Sequence, residues 1–288
     1  MAAETNTIMQ ADVARVRSID FVQQFTGSLR KLMEALGITR KITVQEGTTL
    51  KVLKVTGTLE SGVVAEGELI PLSHYQTEEV PVAEAVLHKW RKGTTAEAIL
   101  KGGYDQAVGD TTDRMVKDVQ KTIRSDLFTF MATGTGEAAG TGLQAALANG
   151  WGKLQVLWED DAVDTVYFLN PLDVSDYLGK AQITMQTAFG MNYIENFLGL
   201  GTVFLNSSVP QGKYYATAKE NIITYFIDMN DGEIKQAFKL MADETGYIGI
   251  REYLDEDHAR VMDLVMSGVV FFPERVDGIV VGTIAGEA

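Results

Sequence analysis

The chain has 288 residues, 45% hydrophobic and 22% charged, with a formal net charge of −14. Such proportions belong to ordinary globular proteins and fit neither a disordered nor a membrane-spanning chain. The acidic balance repels phosphate backbones and argues against a sequence-reading nucleic-acid binder. The absence of cysteine removes disulfides, thiolate metal sites and cysteine nucleophiles together.

The opening Met1-Ala2-Ala3-Glu4-Thr5-Asn6 lacks the basic start and apolar block of a signal peptide, which predicts folding in a cytoplasm. Residues 1–41 read as an arm with scattered large hydrophobes that docks on something else. Within it a helix is expected over Gly27 to Leu36, where Leu29, Leu32, Met33 and Leu36 recur at spacings of three and four.

From residue 42 to 93 the pattern changes to strands. Ile42 with Val44, Leu50 with Val52 and Leu53 with Val55 alternate, and Val80, Val82 and Trp90 recur on the returning side. Between them the segment from Ser61 to Ser73 holds Gly62, Gly67 and Pro71, as a turn requires. A long two-stranded hairpin with a broad tip follows. A ribbon of two strands is marginal alone in water, so it must lie on another surface, most simply a neighbouring subunit.

Thr94 and Glu97 form a capping box for a short helix from Thr95, interrupted at Gly102-Gly103. Val108, Thr112, Met115, Val119, Ile123, Leu127 and Phe130 then step by three or four along a long amphipathic helix that Gly134 ends. Asp110 with Arg114, and Asp113 with Lys117, are expected as pairs on its polar side. The glycines from Gly134 to Gly152 lack the Gly-Lys-Ser/Thr ending of a phosphate loop and read as a flexible joint.

Val163, Val166, Phe168 and Leu169 read as a buried strand, and Asn170-Pro171 as the start of a helix. Further strands are expected at Thr202–Leu205, Tyr214–Thr217 and Ile222–Ile227. Strands return around Tyr247–Ile250, Val261–Met266 and Val276–Ile284.

Catalytic patterns are thin. Three histidines, His74, His88 and His258, show no triad or ligand spacing. Trp158-Glu159-Asp160-Asp161 and Asp255-Glu256-Asp257-His258 are dense in acid and could hold calcium or a carboxylate pair. Neither follows the alternating calcium-loop pattern, and both read as solvated turns.

The order of these elements resembles the major capsid proteins of tailed bacteriophages, with the α+β Hong Kong 97-type capsid fold. Val64-Ala65-Glu66-Gly67-Glu68-Leu69-Ile70-Pro71-Leu72-Ser73 looks like that family's E-loop tip, and Phe168-Leu169-Asn170-Pro171-Leu172-Asp173 is similar to its axial-domain strand-to-helix step. The stretches Leu198–Val203, Val209–Lys213 and Asn221-Ile222 resemble the turns that follow. The resemblance implies an arm over 1–41, an E-loop hairpin over 42–93 and a peripheral domain with a spine helix over 94–147. An axial domain over 148–239 and a return to the peripheral domain over 240–288 complete it.

It further implies a coat protein, not an enzyme, with no catalytic, cofactor or metal residues. Copies would assemble as pentamers and hexamers into an icosahedral virion shell in the bacterial host cytoplasm, enclosing double-stranded DNA without reading its sequence. A portal and decoration proteins are the expected partners, and no membrane is. Two departures stand out. A chain starting at Met1 with a hairpin from Lys41 leaves no room for a fused scaffold, so a separate scaffolding protein, or none, is implied. No lysine lies between Lys54 and Lys89, so the tip cannot donate a cross-link.

Expected intersubunit residues are Glu60, Glu66, Glu68 and Pro71 around the tip, meeting Arg114, Lys117, Lys121 and Arg124 on the spine helix of a neighbour. Two alternatives stand beside this reading: an encapsulin-type protein compartment, and an acidic metal-dependent hydrolase using Glu159, Asp160 or Asp161.

Overall fold

Phe21, Val22, Phe25, Leu29, Leu32, Met33 and Leu36 are all buried and share one face of helix α1 (Gln10–Leu36). The computed structural model describes residues 10–58, 60, 63, 69–158, 163–180 and 183–286. The expected arm with a helix from Gly27 is corrected here, since the helix begins at Gln10. Its apolar stripe continues through Phe21, Val22 and Phe25 and belongs to the subunit's own main core. Gly27 is tolerated mid-helix, with open space around its missing Cβ.

Strands β1 (Lys41–Thr43), β2 (Thr49–Thr58), β3 (His74–Glu84) and β4 (His88–Thr95) follow, and only β2 and β3 pair with one another. The hairpin is therefore shorter than 42–93, because β1 and β4 each join a different sheet. Thr95 caps helix α2 (Ala96–Gly102) by accepting from Ala98 N at 3.3 Å. A π-helical turn over Asp105–Gly109 leads into the long helix α3 (Asp110–Met131). Val116, Val119, Ile123, Leu127 and Met131 are its buried stripe; Val119, Ile123 and Leu127 lie where the spacing predicts, while Thr112, Met115 and Phe130 are only partly buried beside it.

The glycine-dense stretch is not a joint. It forms strand β5 (Gly136–Thr141) and helix α4 (Leu143–Leu157). A Cβ at Gly140 would lie 2.4 Å from Ala146 N, and one at Gly150 would lie 2.6 Å from the Tyr214 hydroxyl. Close approach, not slack, is what selects glycine there.

The remainder is β6 (Thr165–Leu169), α5 (Pro171–Leu178), β7 (Gln186–Ala188), β8 (Met191–Phe197), β9 (Gly201–Leu205), β10 (Lys213–Ala218), β11 (Ile222–Phe226), α6 (Gly232–Phe238), β12 (Ile248–Asp255), β13 (Arg260–Ser267), β14 (Val270–Pro273) and β15 (Ile279–Ala285). Asn170 Oδ1 accepts from Leu172 N at 3.0 Å and starts α5, with Pro171 in the first position where its missing N–H is harmless.

Seven strands form one sheet in the order β5-β15-β10-β6-β9-β8-β7. Strand β6 is buried along its whole length because both faces are covered. Val166 and Phe168 face the core shared with α1 and α3, while Tyr167 and Leu169 face α4 and α5. A row of rings crosses the first of these layers: Phe128 meets Phe168 edge-on at 5.6 Å, Phe168 stacks on Phe204 at 5.7 Å, and Phe204 on Tyr193 at 5.3 Å. Two smaller sheets, β1-β11-β14 and β12-β13-β4, extend the molecule, and the β2-β3 ribbon stands apart as a sheet of its own.

Candidate intersubunit surfaces

Among the described residues the ribbon is anchored at its root. Leu50 is buried in a cluster with Val270 and Phe272, and Ala85 N donates to Thr48 O at 2.9 Å. From there β2 and β3 run antiparallel from Thr49 opposite Glu84 to Thr58 opposite His74. Ten residues of β2 reach about 33 Å at the usual rise of a strand. Glu60 N donates to Ser73 Oγ at 3.1 Å and ties the two sides together near the tip.

The tip is apolar as well as acidic. Leu69 and Leu72 are each 93% exposed, and Val63, Ile70 and Tyr75 are exposed with them. Fully covering each such side chain stabilises by about 1.5–3 kcal/mol, and an exposed patch of this kind marks an association surface. Pro71 lies exposed inside that run and Glu60 at its edge, while Glu66 and Glu68 fall outside the described residues. The contact residues expected at the tip are the acids and Pro71, and the exposed Leu69, Ile70 and Leu72 around them are added by the structure. The run Leu69-Ile70-Pro71-Leu72 was the available signal.

The cations of α3 divide. Arg114 bonds forward to Asp118 at 3.4 Å, in place of the expected Asp110 partner, and both side chains are largely in solvent. Lys117 and Lys121 are exposed. Arg124 does not join them: it reaches the turn between β7 and β8 and donates from Nη1 to the carbonyl oxygen of Phe189. Burial presses its pKa down. The Phe189 ring meets Phe25 of α1 edge-on at 5.6 Å, so this turn is held from two helices.

At the other end of α3, Lys92 Nζ lies 2.9 Å from Asp263 Oδ2 and donates to Val108 O, Thr111 Oγ1 and Thr112 Oγ1 at 3.1, 2.9 and 2.7 Å. One ammonium thus ties β4 and β13 to the start of α3, where the π-helical turn disturbs the usual carbonyl ladder. The pattern Val261, Asp263, Val265 was its trace in the sequence, an acid on an otherwise apolar strand face. Further along, His88 Nε2 stands 3.7 Å from Asp126 Oδ2, whose pKa burial raises and the nearby imidazole counters.

The described acidic cluster is a turn held by charge. Asp255 accepts from Arg260 Nε at 2.7 Å, and both of its oxygens lie 3.1 Å from His258 Nδ1. Bonding to Arg260, and then to His258, holds its carboxyl below the usual carboxylate range, as suits a turn stapled by charge. Glu159, Asp160 and Asp161 fall outside the described residues. Among the described residues no group of three or more His, Cys, Asp or Glu side chains is placed to hold a metal ion. A wide open groove of about 430 Å³ includes Glu34, Asp164, Glu195 and Lys219, and Lys219 is already 3.4 Å from Asp164. No helix among the described residues is long and apolar enough to cross a membrane.

No known family profile matches the sequence, and no curated protein is similar to it in sequence. Solved structures are similar in fold. The capsid of cyanophage A-1(L) superposes with a TM-score of 0.57 at 11% identity, over 88% of this chain and 92% of its own. The capsid of a native GTA particle does so with 0.54 at 10% identity, over 88% and 90%. The SrpI encapsulin from Synechococcus elongatus PCC 7942 gives 0.50 at 9% identity, over 88% and 87%. At these identities the likeness is one of fold, and the fold is the α+β Hong Kong 97-type capsid fold.

Proposed function

We propose that the chain is the subunit of a closed protein shell, the major capsid protein of a tailed bacteriophage, and that it acts by self-association and not by catalysis. The observation that carries this reading is the β2–β3 ribbon: a long two-stranded arm with an apolar tip, on a subunit whose fold is that of capsid proteins. A shell must close by repeating one interface at slightly different angles. Here the body shares one core from α1 through α3 to the seven-stranded sheet, and the ribbon is a separate two-stranded sheet that can meet a neighbour.

On this reading copies form pentamers and hexamers in the virion shell, assembled in the host cytoplasm. The shell, built from an acidic chain, encloses double-stranded DNA without gripping its sequence. A separate scaffolding protein, a portal and decoration proteins belong to the same proposal. The second reading keeps the shell and changes its contents. It is supported by the likeness to an encapsulin, a protein compartment.

Electron microscopy of the expressed protein, with and without candidate scaffolding partners, tests the proposal. Closed particles of uniform size are expected; a small soluble oligomer under every condition would sink it. Particles that protect DNA from nuclease favour the capsid, and particles that retain one co-purified protein favour the compartment.

A further inference from the structure

The open groove of about 430 Å³ lies where the end of α1, the turn between β8 and β9 and the start of β6 meet. Three carboxylates line it: Glu34 on α1, Asp164 just before β6 and Glu195 on β8, with the exposed ring of Trp151 from α4 beside them. Glu34 and Glu195 are exposed, and neither has a cationic partner within 4.0 Å among the described residues. The Tyr193 hydroxyl feels both acids. Its pKa is raised by burial first, then by the charges of Glu195 and Glu34. Glu34 also stands in the last turn of a 27-residue helix with no base there, at the end where the backbone dipole opposes an acid. Helix stability supplies no reason for it.

A second observation is independent of the acids. Thr165 lines the same groove at 1% exposure, and its Oγ1 is buried without a hydrogen-bond partner. Such a hydroxyl is costly unless something bonds to it. Lys219 shows the chemistry the groove receives. Its ammonium lies 3.4 Å from Asp164 Oδ2, and its stem crosses Gly37, where a Cβ would lie 2.8 Å from Lys219 Cδ. One alkylammonium is thus built in at the carbonyl end of α1, and two carboxylates are left over. They do not converge on a point: among the described residues no three acidic or histidine side chains are placed to hold one metal ion. A divalent ion needs several oxygens at once, whereas a chain with spaced charges reaches separated acids in turn. The volume falls in the range of about 300–1,000 Å³ usual for small-molecule sites.

We infer that this groove binds a linear polyamine, an alkyl chain bearing two or more ammonium groups, through Glu34, Glu195, Thr165 and Trp151. One ammonium pairs with each free carboxylate, and an N–H donates to Thr165 Oγ1. The methylene stem and a charged end lie against the indole, which attracts cations through its ring face. The site needs only the folded subunit and does not rest on the shell reading.

Titration calorimetry of the full-length protein with spermidine at low salt tests this. One saturable site per chain is expected, weakened about tenfold or more by Glu34→Gln with Glu195→Gln. Melting of the free protein should hold or rise slightly in that variant, because the helix dipole no longer opposes residue 34. The control Glu256→Gln with Asp257→Asn removes the same charge at the exposed β12–β13 turn and should bind like wild type. Magnesium at equal charge should compete poorly. Should the groove variant melt early, Trp151→Ala at the exposed rim carries the same test, with weaker binding and an intact fold expected. Equal binding by wild type and the folded groove variants would overturn the inference, leaving only counter-ions around an acidic chain. No saturable heat from wild type, or magnesium competing as well as spermidine, would overturn it too. Binding of an oligolysine peptide without binding of spermidine would overturn it by making the groove a docking surface for another chain.

Discussion

Lys92 Nζ lies 2.9 Å from Asp263 Oδ2, and the two side chains are only 18% and 4% exposed. Desolvating both charges is tolerable because Val108 O, Thr111 Oγ1 and Thr112 Oγ1 complete the shell of oxygens around the ammonium. Removing one partner strands the other. Asp263→Leu alone should lower subunit stability by about 3–5 kcal/mol, and Lys92→Met with Asp263→Leu should lose less than the single change. Urea unfolding of the unassembled subunit measures both; a double variant worse than the single would contradict this account.

Arg124 and Gly190 form a second dependent pair. Gly190 has φ 71°, and a Cβ there would lie 2.5 Å from Arg124 Nη1. Gly190→Ala therefore strains the backbone and displaces the guanidinium from the Phe189 carbonyl. A loss exceeding about 1 kcal/mol is expected. Arg124→Met should loosen the same turn by about 1.5–3 kcal/mol, the range for a hydrogen bond from a charged group. If the two losses add fully when combined, the residues are not coupled through this contact.

How much of this was legible depends on the physical signal each element leaves. The spine helix was plain because Val119, Ile123 and Leu127 repeat at helical spacing on a polar background. The start of α1 was missed because Gly27 and polar neighbours hid a stripe that only tertiary burial makes continuous. Glycine misled most: near Gly140 and Gly150 it marks contact distance, and composition cannot tell that from slack. Strand partners were also out of reach. Nothing local says that Lys41–Thr43 pairs in parallel with β11, or that Trp90 belongs beside Val265 and not in the hairpin. The exposed tip was half legible, since its Ile-Pro run was noticed while the exposure of its neighbours depends on what does not fold over them.

The Asp255 turn predicts a pH effect with a definite sign. Its folded-state pKa is lowered from 3.8 by Arg260, then by His258. A depressed carboxyl contributes stability above its unfolded pKa and loses it as pH falls through the folded value. The β12–β13 turn should therefore hold at neutral pH and loosen below about pH 4. Carboxyl titration followed by NMR should show Asp255 midway below the ordinary aspartate range in wild type and shifted up in Arg260→Ala. An unchanged midpoint in the variant would mean the short contact is not populated in solution.

The hairpin tip separates folding from assembly. Leu69, Ile70 and Leu72 touch little of their own subunit, so replacing all three with serine should leave its stability within about 0.5 kcal/mol of wild type. In a shell the same three side chains would be covered by a neighbour, each contributing about 1.5–3 kcal/mol per contact. Repeated over every subunit, that loss should prevent closure at protein concentrations where wild type assembles. The triple variant should elute as a folded small species with native circular dichroism and show no particles by microscopy. Normal shells from this variant would place the stabilising contacts elsewhere, and a melted subunit would mean that the tip packs on its own chain.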